Sequence, residues 1–138
     1  MAGKTVITFG TYDLFHVGHL RLLQRARALG DRLVVGVSTD ALNVSKKNFS
    51  PSIPQTDRIE IIRSLRCVDE AFFEESLELK GDYIRQFKAD TLVMGHDWEG
   101  RFDHFRDLCE VAYLPRTEGI STTQIREDMI RRGFITYS

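Results

Sequence analysis

The run Arg32-Leu-Val-Val-Gly-Val-Ser38 constrains this chain more than any other feature. It is apolar at consecutive rather than alternate positions, so as a strand it has no face left for water. Both faces must be covered, which is the condition of a strand inside a parallel sheet. Comparable runs occur at Lys4–Phe9 (ending at Gly10), Cys67–Phe73, Thr91–Met94 and Val111–Leu114. Between them lie segments with helical spacing. From Val17 to Leu29 the apolar positions are Leu20, Leu23 and Ala26, with Gly30 as a stop signal. Thr56–Leu65 places Ile59, Ile62 and Leu65 on one face, and Leu79–Phe87, Phe102–Cys109 and Thr122–Arg132 read as further helices. Residues 39–54 carry Ser, Asn, Lys and two prolines and read as a mobile loop. Strands alternating with helices predict an α/β fold: a single doubly wound, Rossmann-like domain over residues 1–138, with about five parallel strands.

Composition narrows the function. With 42% hydrophobic and 28% charged residues in 138, disorder and coiled coils are excluded. So is a membrane span, because no apolar run approaches the ~20 residues needed. Nineteen Lys and Arg against twenty Asp and Glu leave a net charge of −1, too little for bulk attraction to nucleic acid. A small anionic ligand needs only a few converging cations and stays open. Cys67 and Cys109 form no CxxC pair and read as reduced thiols rather than a zinc site or disulfide. Met1-Ala-Gly-Lys4 lacks the apolar segment of a signal peptide, so a cytoplasmic location is expected.

Doubly wound sheets bind ligands beyond the carboxyl ends of their strands. Chemistry is therefore expected at residues 10–19, 38–47, 95–100 and 115–123, where the unusual residues do fall. In Gly10-Thr-Tyr-Asp-Leu-Phe-His-Val-Gly-His19 a helix should open near His16 or Val17. Spaced i, i+3, His16 and His19 share one side of its first turn, and Gly18 between them lets a ligand approach the backbone. Imidazole N–H groups beside the N–H groups of a helix start make a phosphate-shaped site. A capping or core role for one histidine, or a zinc site, are the competing readings, although no HExxH or cysteine cluster completes a metal set. The second segment is Pro115-Arg-Thr-Glu-Gly-Ile-Ser-Thr-Thr-Gln-Ile-Arg126. Ser121 and Gln124 have capping-box spacing, which does not account for Arg116, Gly119 and the consecutive hydroxyls of Ser121, Thr122 and Thr123. Two anion cradles at one sheet edge suggest a nucleoside triphosphate held at two points. No GxxxxGK[ST] or GxGxxG pattern is present, which removes the P-loop and dinucleotide readings. Lys46 and Lys47 read either as anion contacts or as a solvated pair. Arg58, Arg63 and Arg66 read mostly as surface residues. Asp97 and Trp98 fall where ligands bind, and Trp98 could cover a base or plug the sheet end.

Together, His16-Val-Gly-His19 and Ile120-Ser-Thr-Thr123 resemble the HxGH nucleotidyltransferase superfamily, cytidylyltransferase branch. Met94-Gly-His-Asp-Trp-Glu-Gly100 and Arg116-Thr-Glu-Gly-Ile-Ser-Thr-Thr123 are similar to the short bacterial glycerol-3-phosphate cytidylyltransferases, with the likeness running from Val6 to Arg126. Val17 and His96 depart from that pattern. The resemblance implies transfer of a cytidylyl group from CTP to glycerol 3-phosphate, with Mg²⁺ carried by the CTP phosphates rather than a protein cage, in a homodimer supplying a wall or capsular polymer. It implies catalytic roles for His16, His19, Arg116 and Lys46. CTP binding would fall to Gly10, Thr11, Asp13, His16, His19, Arg66, Asp97, Arg116, Thr117, Gly119, Ile120, Ser121, Thr122 and Thr123. Acceptor binding would fall to Lys46, Lys47, Arg66 and Lys80. Separately, the composition of the 39–54 loop leads to the expectation that it closes over the acceptor and brings Lys46 to its phosphate. A sibling acting on another phosphorylated alcohol or using ATP, and a non-catalytic nucleotide-binding module, are the alternatives.

Overall fold

The computed structural model describes residues 3–48, 50–117 and 119–135, with Lys47 described in its backbone only. Five parallel strands form one sheet in the order β3-β2-β1-β4-β5. They are β1 (Thr5–Gly10), β2 (Arg32–Ser38), β3 (Glu70–Glu74), β4 (Thr91–Gly95) and β5 (Glu110–Leu114). The helices are α1 (Val17–Ala28), α2 (Asp40–Lys47), α3 (Gln55–Arg63), α4 (Lys80–Gln86) and α5 (Thr122–Arg131).

Side chains alternate across a strand, so a continuous apolar run feeds two cores. Leu33, Val35 and Val37 of β2 join Val6 and Val93 under Leu23 and Ala26 of α1 and Ile59 and Ile62 of α3. Val34 points the other way and joins Ile7, Phe9, Leu92 and Met94 under Ile84 of α4. The chain winds from β1 outward to β3, then returns across the sheet to β4 on the other side of β1. That reversal opens a crevice where the carboxyl ends of β1 and β4 diverge, as doubly wound sheets require.

Three expectations are corrected. Residues 39–54 are not all loop, since they contain α2: the Thr39 hydroxyl accepts from Leu42 N at 3.1 Å, and Asn48 at φ 63° ends the helix. Asn43 does not break this helix because its amide is engaged elsewhere, donating to Thr39 O at 2.9 Å and Ser38 Oγ at 3.0 Å. The third strand starts at Glu70 rather than Cys67. Residues before it turn, with Val68 N bonded to Leu65 O, and the Asp69 carboxylate accepts from Leu33 N at 2.8 Å. Over 102–109 the chain makes only a 3₁₀ turn, Asp103–Asp107. There the Tyr113 hydroxyl donates to Asp103 at 2.8 Å and accepts from Phe102 N at 3.0 Å, fixing the segment's start against β5.

Candidate active site

A cavity of about 850 Å³ lies at the carboxyl edge of the sheet, bordered by the strand ends Gly10, Glu74, Gly95 and Leu114. Its floor is the β1–α1 connection. Tyr12 and Leu14 both adopt left-handed backbone, at φ 57° and 48°, a conformation that costs a non-glycine residue ~1 kcal/mol or more. Asp13 between them holds the turn. Its carboxylate accepts from Leu14 N (3.1 Å), Ser52 N (2.8 Å), Ile53 N (2.9 Å) and Arg126 Nη2 (2.7 Å). Its carbonyl accepts from the Thr122 hydroxyl at 2.9 Å. One side chain thus joins β1, the segment before α3, and α5.

His16 is the N-cap of α1. Its Nδ1 accepts from Gly18 N at 3.0 Å, while His19 Nδ1 accepts from His16 N at 3.2 Å, a capping box built from two imidazoles. With both Nδ1 lone pairs engaged, each neutral ring carries its proton on Nε2. The rings stack at 3.9 Å between centroids, Phe15 stacks on His19 at 5.4 Å, and Tyr12 meets His19 edge-on at 5.6 Å. Capping and ligand binding are therefore not alternatives here, because the cap fixes the tautomer that presents a donor. Gly18 lines the cavity, and the packing itself also requires a glycine there: a Cβ would lie 2.7 Å from the His16 ring and 3.2 Å from Ile120.

Burial lowers the His16 pKa; burial and the neighbouring His16 push His19 down to about 4. Both rings are neutral at physiological pH and act as dipolar donors. Unfolded His19 takes up a proton near pH 6.5, whereas the folded residue waits until about pH 4. Between those values the unfolded chain binds more protons, so stability falls as pH drops through the window. Urea unfolding at pH 7 and pH 4.5 should show a smaller loss for His19→Gln than for wild type; equal losses would contradict this environment for His19.

The opposite wall begins α5. Gly119 turns the chain at φ +81°, Ser121 caps the helix by accepting from Gln124 N at 3.1 Å, and Ile120, Ser121, Thr122 and Thr123 line the cavity. Thr117 also lines it, with a buried hydroxyl that has no hydrogen-bond partner. Arg116 pairs with Asp97 across the rim. Gly10 lines the floor, where a Cβ would meet the Tyr12 ring at 2.7 Å. The Thr11 hydroxyl bonds Asn43 Oδ1 at 2.9 Å and Ser38 Oγ at 3.1 Å. Lys46 of α2 faces the cavity, whereas the side chain of Lys47 lies outside the described residues. Lys80 lines it too, but as the ion-pair partner of Glu74. Burial lowers the Lys80 pKa, and the Glu74 carboxylate opposes that shift.

Two expected residues stand apart. Gly119 shapes the wall without lining it. Arg66 is exposed between α3 and β3, beside the Asp69–Leu33 contact at the amino ends of the strands, and does not line this chain's cavity. Asn43, Glu74 and Arg126 line the cavity although the sequence did not single them out, and Arg58, read from sequence as a surface residue, is instead buried behind the cavity floor, where carbonyls of three segments surround it. Arg58, fully buried, donates to Thr11 O and Ser38 O at 2.8 Å each, to Ile53 O at 2.9 Å and to Asp40 Oδ1 at 2.7 Å. Glu74 could have been found from its place at a strand's carboxyl end. Among the described residues, no group of three or more His, Cys, Asp or Glu could hold a metal ion, and no helix is long and apolar enough to cross a membrane.

Comparison with known proteins gives this geometry a setting. The glycerol-3-phosphate cytidylyltransferase of Bacillus subtilis (strain 168) is 49% identical over 91% of this chain and 97% of its own length. The enzyme of that name from Staphylococcus aureus (strain NCTC 8325 / PS 47) is also 49% identical, over 91% of this chain and 95% of its own. A lipopolysaccharide core biosynthesis protein from Thermoplasma volcanium shares the fold at a TM-score of 0.75 and 21% identity, covering 85% of this chain and all of the other. Residues 7–128, from β1 into α5, match the family model described as Cytidylyltransferase-like, and this chain belongs to that family.

Proposed function

We propose that the chain catalyses CTP + glycerol 3-phosphate → CDP-glycerol + pyrophosphate. The observation that carries this reading is the histidine pair at the start of α1, both Nδ1 atoms tied to backbone N–H groups, set against the start of α5. Its support in the relatives is the name carried by the two bacterial enzymes.

A phosphate oxygen of the acceptor attacks the α-phosphorus of CTP in line, and the bond from that phosphorus to the pyrophosphate oxygen breaks. The acceptor phosphate is already ionised near neutral pH, so no strong base is needed. The protein's contribution is position and stabilisation of developing charge. His16 and His19 donate through Nε2–H to the α- and bridging oxygens, in a site whose donors are fixed before substrate arrives. Gly10 and Thr11 form the floor of the nucleotide site. Arg116, Thr117 and Ile120–Thr123 hold the base and phosphates, with Thr117's unpartnered hydroxyl completed by the nucleotide. Asp13 acts through the walls it joins, since its carboxylate already accepts four hydrogen bonds. Lys46 on α2 engages the acceptor phosphate. A divalent cation such as Mg²⁺, brought in with CTP rather than held by a protein cage, would supply neutralisation of the triphosphate charge. The chain works as a homodimer in the cytoplasm, supplying a wall or capsular polymer.

Pyrophosphate release from CTP or ATP, with glycerol 3-phosphate and a panel of other phosphorylated alcohols, tests the reading. Release is expected with CTP and glycerol 3-phosphate. Release with another acceptor or with ATP would reassign the substrate, and CTP binding without release from any combination would make the chain a binding module.

A further inference from the structure

Two charged side chains stand in the cavity wall with almost no exposure: Glu74, at 2%, ends β3, and Lys80, at 3%, opens α4. They bond to each other through Glu74 Oε2, and the Lys80 ammonium lies 4.1 Å from the centroid of the Phe9 ring and 5.4 Å from that of Phe102. Burying two ions is costly before their attraction is counted, and an apolar pair of similar volume often serves a fold as well. A buried ion pair whose surroundings open onto a ligand cavity therefore asks for a ligand. The resemblance points to the acceptor phosphate for Lys80, but the local charge argues otherwise. The pair is neutral, and a phosphate dianion brought to Lys80 would also meet the Glu74 carboxylate where little water screens the repulsion. A hydroxyl suits the pair better, since it donates to a carboxylate oxygen and accepts from an ammonium. The apolar rings of Phe9 and Phe102 beside it leave a solvent-poor surround in which an unmet polar group is costly.

We propose that Glu74, held by Lys80, is the specificity-determining residue that binds a hydroxyl of the acceptor, so that the site selects a phosphorylated polyol over a phosphorylated simple alkanol. This rests on the cytidylyltransferase reading and deepens it, placing the acceptor's carbon end at Glu74 and Lys80 and its phosphate toward Lys46. Without the hydroxyl, a bound alkanol phosphate would leave the pair dry and unmatched, the situation in which polar sites discriminate strongly.

The test compares wild type on glycerol 3-phosphate, the monophosphate of 1,3-propanediol and propyl phosphate, with CTP and Mg²⁺. For wild type, kcat/KM should be about 10²-fold or more lower with propyl phosphate than with glycerol 3-phosphate. Glu74→Gln should narrow that ratio about tenfold or more by losing efficiency selectively on glycerol 3-phosphate, with CTP affinity, measured by calorimetry, retained. If Lys80 instead met the phosphate, removing the repelling carboxylate would lower KM for all three acceptors alike, and that result would overturn the proposal. Comparable use of propyl phosphate and glycerol 3-phosphate by wild type would also overturn it while leaving the cytidylyltransferase reading intact. No pyrophosphate release with any acceptor would instead defeat the underlying reading, and the subsite with it. Should Glu74→Gln fail to bind CTP, the charge-free double variant Glu74→Leu/Lys80→Met takes its place and must narrow the same ratio.

Discussion

Replacing His16 or His19 with alanine is expected to lower turnover by ~10²-fold or more, the usual loss on removing one donor aimed at transition-state charge. The expectation follows from tautomer and position rather than from charge. Both rings are neutral because burial disfavours the imidazolium, and each turns its Nδ1 toward a backbone N–H. What alanine removes is an Nε2–H donor of fixed direction, so kcat and kcat/KM should fall together, the signature of an interaction made in the transition state. Alanine at 16 also deletes the α1 cap, which by itself costs ~1 kcal/mol. His16→Asn separates the two effects. Asparagine is a good cap, so this variant should recover most of the stability and none of the turnover. Near-normal turnover in either alanine variant would remove the histidines from the mechanism.

Arg58→Met should be the most destabilising single change, on the order of 3–5 kcal/mol by urea unfolding at pH 7. The methionine fills most of the space, but the carbonyls of Thr11 and Ile53 lose the guanidinium donor and that of Ser38 keeps only a long 3.5 Å bond from Asn43 Nδ2. Buried acceptors left unpaired cost about 1–3 kcal/mol each, against a total stability that for ordinary domains is about 5–15 kcal/mol. Asp40 keeps contact with water, its side chain being 34% exposed, so the loss comes mainly from the carbonyls. The same variant should weaken CTP binding at temperatures where it remains folded, since Arg58 sets the floor residue Thr11. A loss below ~1 kcal/mol would mean that water replaces the guanidinium, contrary to its complete burial.

The elements that could be read from the chain are those whose cause is local. β2 declares itself by consecutive apolar residues, and α1 by the spacing of Leu20, Leu23 and Ala26 followed by Gly30. The two histidines are legible because an i, i+3 pair just after a strand has few other uses. α2 was hidden because its Ser, Asn and Lys residues look like loop composition, and only the remote partners of Asn43, on Thr11 and Ser38, show why they suit a helix. Arg58 could not be recognised because nothing local marks a guanidinium that will be surrounded by carbonyls from separate segments. Glu74 ends β3, a position that does mark the ligand edge of the sheet, but Glu75 and Glu78 beside it carry the same local composition, so only the fold separates it from them. Arg66 came from family likeness alone, and its position follows from the late start of β3, which keeps it at the amino edge of the sheet.

The contacts of Asp13 also bear on how the molecule is made. Its carboxylate meets Ser52 and Ile53, about forty positions on, and then Arg126, 113 positions on. The strands and their helices can begin to pack while the ribosome is still working, domains being acquired from the amino end. The ligand site cannot, because the wall that Arg126 and Thr122 bring to Asp13 is translated more than a hundred positions after Asp13 itself. A nascent chain of this enzyme is therefore a folded sheet without a working centre until α5 has emerged.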